Sequence, residues 1–169
     1  MRLESVKAVV EALNEAHVRY LVVGGLAVIA HGYMRFTKDI DVVISLLPDN
    51  VKKTFDALGR LGYRPNVPIT AEQFGIAGNR KRWIEEKNMK VLALWSEAHP
   101  ETPLDIFVVE PFDFDKEYEA ALLKPLSKGI EIRVVSLRTL IAMKEDVGRG
   151  EDLIDVRNLR MKLDDDEAK

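Results

Sequence analysis

One short segment constrains this chain more than any other: "VVGGLAVIAHGYMRFTKDIDVVI", residues 22–44. Two glycines close a β-branched apolar run, and two aspartates, Asp39 and Asp41, interrupt a second one. Alternate residues of a strand share a face. Asp39 and Asp41 therefore point the same way, about 6.6 Å apart along the strand, while Ile40, Val42 and Ile44 point into the core. Two carboxylates at that spacing repel by roughly 2.5 kcal/mol at an effective dielectric near 20, and by roughly 0.6 kcal/mol in water. An exposed edge strand tolerates such a pair, and its charges discourage edge-to-edge pairing. A bound divalent cation turns the repulsion into attraction, because hard cations collect carboxylate oxygens.

A third carboxylate favours the cation. Asp105 sits in "PLDIFVV", again an acidic residue inside a hydrophobic run. Charged groups are rarely buried in a strand without a partner. Three carboxylates on neighbouring strands can hold two magnesium ions, which clamp the attacking and leaving oxygens of phosphoryl or nucleotidyl transfer. Gly24 and Gly25 follow a strand and open a helix. Helix N-termini offer free N–H groups to phosphate, and glycine lets the backbone approach closely.

The rest of the chain interleaves helices and strands. Leu3, Val6, Val10 and Leu13 recur at helical spacing, so residues 3–17 read as an amphipathic helix. "RYLVV" and "DIDVVIS" read as strands, with "LAVIAHGY" as a short helix between them. Asp49 or Asn50 is placed to cap a helix carrying Val51, Phe55, Leu58 and Leu61, with Gly62 just past its end. "KVLALW" and "LDIFVV" suit an antiparallel pair. "FDKEYEAALL" reads as helix and "IEIRVV" as strand. Ser136 can cap "LRTLIAMKEDV", "GRG" breaks that helix, and a last one turns Leu153, Val156, Leu159 and Leu163 inward. The expected fold is α/β (α+β), a mixed β-sheet with helices packed on it. One domain over 1–169 is expected, with helices 136–163 packing against it.

Composition narrows the function classes. There is no cysteine, so neither a disulfide framework nor a thiolate metal site is available. No run approaches the ~18 apolar residues of a membrane span, and "MRLESVKAVVEALNEAH" lacks the pattern of a signal peptide. A cytoplasmic protein without membrane partners is expected. The net charge of −3 gives no global attraction to nucleic acid. The basic stretch "NRKRW" reads as a solvated face, and "LDDDEAK" as a frayed acidic tail.

The ordered motifs resemble those of the DNA polymerase beta-like nucleotidyltransferase superfamily: Gly-Gly, a spacer, Asp-Ile-Asp, then a later strand aspartate. Gly-Gly-x-Ala with His31, Arg35, Thr37 and Asp39-Ile40-Asp41 is most similar to its AbiEii-like and minimal members. "MKEDVGRGEDLIDVRNL" resembles their final helical motif. The segments 19–44, 103–109 and 136–160 carry the match, and 63–95 carries none.

The resemblance implies a palm-like fold and a Mg-dependent transfer of a nucleoside monophosphate from a triphosphate to an acceptor hydroxyl. Asp39 and Asp41 would bind both ions. Asp105 would bind one and help deprotonate the acceptor. Gly24 and Gly25 would hold the β,γ-phosphates through backbone N–H groups, where many members carry serine at the second position. Lys144 matches the motif and joins the phosphate-binding set, with Arg35 and Lys38 as either phosphate ligands or solvated charges. Asp152 and Asp155 read either as catalytic or as partners of Lys144 or Arg149. His31 reads as structural, and Trp83 and Trp95 as core residues rather than base-stacking platforms. The acceptor stays open between protein, RNA and small molecule. A toxin–antitoxin role with a cognate antitoxin or RNA is among the implied partners. The alternative is a catalytically silent binding or antitoxin-like module of the same fold.

Overall fold

"YLVV" forms an inner strand of the sheet. All four of its residues, Tyr20–Val23 (β1), are buried, so both faces of the sheet are covered there. The computed structural model describes residues 1–168. Ahead of β1 lies α1 (Leu3–Glu15), and after it come α2 (Gly24–Ala30) and β2 (Ile40–Ile44). Next are α3 (Pro48–Arg60), β3 (Arg64–Pro65), α4 (Ala71–Gly75), α5 (Ala77–Lys87), β4 (Val91–Trp95) and β5 (Leu104–Phe107). The chain continues through α6 (Phe114–Ala120), β6 (Leu122–Ser127), β7 (Ile130–Val134), α7 (Leu137–Val147) and α8 (Gly150–Glu167).

The sheet is mixed, as expected, with strand order β3-β4-β5-β2-β1-β7-β6. β1 pairs antiparallel with β2 and parallel with β7; β2 pairs parallel with β5. "VLALW" and "LDIF" form the expected antiparallel pair. α2 packs on β1 and β2 and against α7, while α1 packs against α3 and β7.

On β4 and β5 one face is fully covered and the other only partly. There the residues alternate strictly: Leu92, Leu94, Leu104 and Ile106 are buried, whereas Val91, Ala93, Asp105 and Phe107 are only partly covered. On β2, Val43 shares the parity of Asp41 and is nonetheless fully buried. The one-sided strand expected from Ile40, Val42 and Ile44 is therefore two-sided in its second half.

Tertiary context overrides several local expectations. α3 is capped by neither Asp49 nor Asn50: Leu47 takes the cap position and Pro48 the first helical one, where a fixed φ suits the helix and no N–H is needed. Asn50 instead ties strand ends together, donating to Arg19 O (3.0 Å) and Ser45 O (2.9 Å) and accepting from Arg19 N (2.8 Å). "FDKEYEAALL" is helical only to Ala120. Leu122 and Leu123 start β6, which pairs antiparallel with β7; Pro125 also disfavours helix in the residue before it.

Ser136 caps α7 as expected, and Gly148 ends it in the left-handed region. On α8, Val156 and Leu159 are buried but Leu153 is 58% exposed, its inward place being taken by Asp155. The acidic tail is not frayed, since α8 runs to Glu167; Lys169 lies outside the described residues. Trp83 is buried as expected, but Trp95 is 44% exposed, at the end of β4 beside the two-residue edge strand β3. Of the basic run, Arg80 is buried and donates to Phe74 O, while Lys81 and Arg82 are exposed.

Candidate active site

Sheet register brings the three aspartates together. Asp41 and Asp105 are directly paired across the parallel β2–β5 ladder, and paired residues point to the same side of a sheet. Asp39, expected inside the strand, instead lies in the bend just before β2, and its carboxylate still joins the other two. One carboxylate oxygen from each of Asp39, Asp41 and Asp105 lies within 4.8 Å of the others. Hard cations take oxygen ligands at about 2.0–2.6 Å, so oxygens this far apart can share one. The donor set, all carboxylate, suits magnesium.

The cluster sits where the helical cover of the sheet ends. Val23 is the cross-strand partner of Asp41, and α2 begins at the next residue. Gly24 has φ +64°, and a Cβ there would lie 2.0 Å from Asp41 Oδ2. Glycine is thus required twice over, for the left-handed backbone and for contact with the carboxylate. Burial under α2 pushes the Asp41 carboxyl up to about 7, with the neighbouring charges of Asp39 and Asp105 adding to the effect. Asp105, on the open side, is also raised, by burial and by Asp39.

The second glycine is filled from above. A Cβ on Gly25 would lie 2.5 Å from Thr37 Oγ1 and 3.5 Å from Arg35 Nε. The Thr37 hydroxyl therefore occupies the space that a serine side chain at position 25 would need. Thr37 was visible in the sequence only as part of a motif; its site position follows from the fold of the loop between α2 and β2. No side chain caps α2.

The candidate cations divide. Lys144 on α7 is 6% exposed and pairs with Asp152 (3.0 Å) and Asp155 (2.7 Å). Arg35 pairs with Asp155 and with Glu151 (3.3 Å). Both positive charges act on Asp41 and partly offset its raised affinity for a proton. Lys38 is exposed, and among the described residues no ion pair places it against the cluster. Of the two readings of Asp152 and Asp155, their contacts match partnership with Lys144, and Asp152 also accepts from the Arg149 backbone N–H (3.3 Å). His31 is buried with Nε2 2.9 Å from Val135 O, a structural contact; burial lowers its pKa.

Solved structures share this architecture. The lincomycin-bound lincosamide antibiotic adenylyltransferase LnuA aligns with TM-score 0.57 and 15% identity, over 93% of this chain and 95% of that one. The antibiotic-resistance factor ANT(2")-Ia, in complex with adenylyl-2"-tobramycin, gives 0.61 and 13%, over 95% and 88%. An antigenic nucleotidyltransferase-like protein from Paracoccidioides brasiliensis gives 0.54 and 15%, over 95% and 74%. At such identities the likeness establishes the fold. No curated protein sequence matches the chain. Residues 1–164 match the family described as nucleotidyltransferase of unknown function (DUF6036), so the chain belongs to that nucleotidyltransferase family.

Proposed function

We propose that this protein transfers a nucleoside monophosphate from a nucleoside triphosphate to a hydroxyl of a small-molecule acceptor. The observation that carries the reading is the convergence of Asp39, Asp41 and Asp105 at the end of the helical cover, with the Gly24 backbone pressed against Asp41. Asp39 and Asp41 are the residues we assign to two magnesium ions and Asp105 to one. Magnesium bound there would supply positive charge to phosphate oxygens. Gly24 and Gly25, at the start of α2, are the residues we assign to the β,γ-phosphates through their backbone N–H groups. Lys144 and Arg35 add positive charge on the α7–α8 side. Asp105 holds the acceptor's proton as the hydroxyl oxygen attacks the α-phosphorus; the α–β bridging bond breaks and pyrophosphate leaves. Lys38 is assigned at most a long-range role.

The acceptor is the less constrained half. Beside Asp105 the sheet face is open, floored by Val91, Ala93 and Phe107 and flanked by the exposed ring of Trp95. That surface suits a compact acceptor with an apolar or planar face. Two similar folds belong to proteins whose names describe lincosamide adenylyltransfer and an adenylylated tobramycin complex, which supports a small molecule. An RNA acceptor or a toxin–antitoxin partner is weaker, because Arg80 of the basic run is buried and Lys81 faces Glu85. We place the chain in the AbiEii-like or minimal branch on its motifs, treat residues 1–169 as one nucleotidyltransferase domain, and expect it to work in the cytoplasm; no helix among the described residues is long and apolar enough to cross a membrane.

The test is transfer of label from each of the four α-labelled triphosphates, with magnesium, into pools of hydroxylated small molecules, RNA and protein. Labelled small molecule and released pyrophosphate are expected. Absence of triphosphate binding under any of these conditions sinks the reading and leaves the silent-module alternative.

A further inference from the structure

The two cations beside the carboxylate cluster come from distant parts of the chain. Arg35 lies in the loop between α2 and β2, which has neither helix nor strand. Lys144 lies on α7. A single carboxylate joins them: Asp155 on α8 accepts from an Arg35 guanidinium nitrogen and from Lys144 Nζ at 2.7 Å. Asp155 is 5% exposed and Lys144 is 6% exposed. Charges this deeply buried persist only when paired, so the bridge is part of the folded core and not a surface accident.

Its placement is directional. Arg35 Nε lies over the first turn of α2, 3.5 Å from where a Gly25 Cβ would stand. Nε itself donates to its neighbour's carbonyl, Phe36 O (3.2 Å), and the two terminal guanidinium nitrogens donate to Asp155 and Glu151. Met34 and Phe36 on either side of Arg35 are 93% and 75% exposed, so neither neighbouring side chain holds the loop at this point. Released from Asp155, both long side chains would have to be ordered anew each time an anion bound.

We infer that Asp155 is a positioning residue: it fixes Arg35 and Lys144 as one preset pair aimed at the phosphates of the nucleoside triphosphate, a role that rests on the nucleotidyltransferase reading above. The opposite role for the same contacts is competition, in which Asp155 occupies cations that phosphate needs. The two roles differ in sign. Removal of the carboxylate weakens triphosphate binding if Asp155 positions the cations, and tightens it if Asp155 competes for them.

The experiment titrates each of the four nucleoside triphosphates, with magnesium, into the full chain and into Asp155→Asn and Glu151→Gln. Manganese binding, read from the EPR signal of the free ion, is measured in parallel. Asp155→Asn is expected to bind the triphosphate about 10-fold more weakly, the effect of losing a charge-assisted contact, while its manganese affinity stays at the wild-type value. A merely structural role would lower both together and overturn the inference, as would equal or tighter triphosphate binding. Glu151 is 85% exposed at its side chain, so its variant decides the sign even where Asp155→Asn does not fold; about 2-fold weaker binding is expected for this surface contact. If wild type binds none of the four triphosphates, the nucleotidyltransferase reading fails and the clamp with it. If wild type binds and the variants bind equally well, only the positioning role fails.

Discussion

The two halves of one sheet face differ, and the carboxylate cluster lies on their border. On the β1–β2 side α2 covers the strands, and Val23 and Val43 are fully buried. On the β4–β5 side the same face keeps Val91, Ala93 and Phe107 partly solvated and Trp95 exposed. Asp41 belongs to the covered half and Asp105 to the open half, although they are direct partners across the ladder. The covered half desolvates a carboxylate until it competes with neutral pH for a proton. The open half leaves room beside Asp105, where we propose that the acceptor approaches. A site that needs both strong electrostatics and access is best made at such a border.

The largest expected effect strikes the covered half. Asp41→Asn removes a charge from the proposed cation ligands and should lower transfer by about 10³-fold, or about 4 kcal/mol of transition-state stabilisation. Initial-rate measurements check it. Next is Gly24→Ala, which needs a left-handed backbone and overlaps Asp41. It should destabilise the fold by about 2–4 kcal/mol. Gly59 in α3 has open space where its Cβ would be, so Gly59→Ala should instead stabilise by up to about 1 kcal/mol. Equal denaturation midpoints for the two variants would show that α2 does not press on the cluster.

On the open half, Trp95→Ala should raise the acceptor KM about 10-fold, as expected when one aromatic contact is lost. The triphosphate KM should not move. A change in triphosphate KM alone would assign Trp95 to the other substrate and erase the division between the halves. Lys38→Ala, an exposed cation, should change either constant by less than about 2-fold.

The pH dependence sharpens the same comparison. The folded pKa of Asp41, about 7, lies above its unfolded value, so between about pH 4 and pH 7 the folded chain binds more protons than the unfolded one. In metal-free buffer this group's contribution therefore declines as pH rises through that window. Asp41→Asn has no such group, and its stability should exceed that of wild type increasingly from pH 4 to 7 and by a constant margin above. Chemical denaturation at stepped pH reads the difference. Magnesium should reverse the order at pH 8 by stabilising wild type alone. Were the two proteins to run parallel across the window, Asp41 would not be the buried member of the cluster.

The cluster was legible in the sequence because a strand carries its own ruler. Period-two spacing put Asp39 and Asp41 on one side, and an acidic residue in "PLDIFVV" marked the neighbouring strand. The glycines, the antiparallel β4–β5 pair and the serine cap of α7 were equally local signals. Long-range competition decided what the sequence did not show. Leu122 and Leu123 continue a helical pattern, but β7 offers them a ladder. Asn50 is a good helix cap, yet three backbone partners at the strand ends use all of its side chain.

The sequence by itself determined the carboxylate triad, the glycine entry to α2 and the mixed sheet, because each depends on spacing along a few residues. Only the tertiary structure decided that Thr37 fills the place above Gly25, that Trp95 faces outward, and that Asp155 turns inward to join Arg35 to Lys144. Those outcomes depend on which segments meet across 11 to 120 residues of chain. A buried charge chooses its partner from everything that packs against it, and no local period encodes that choice.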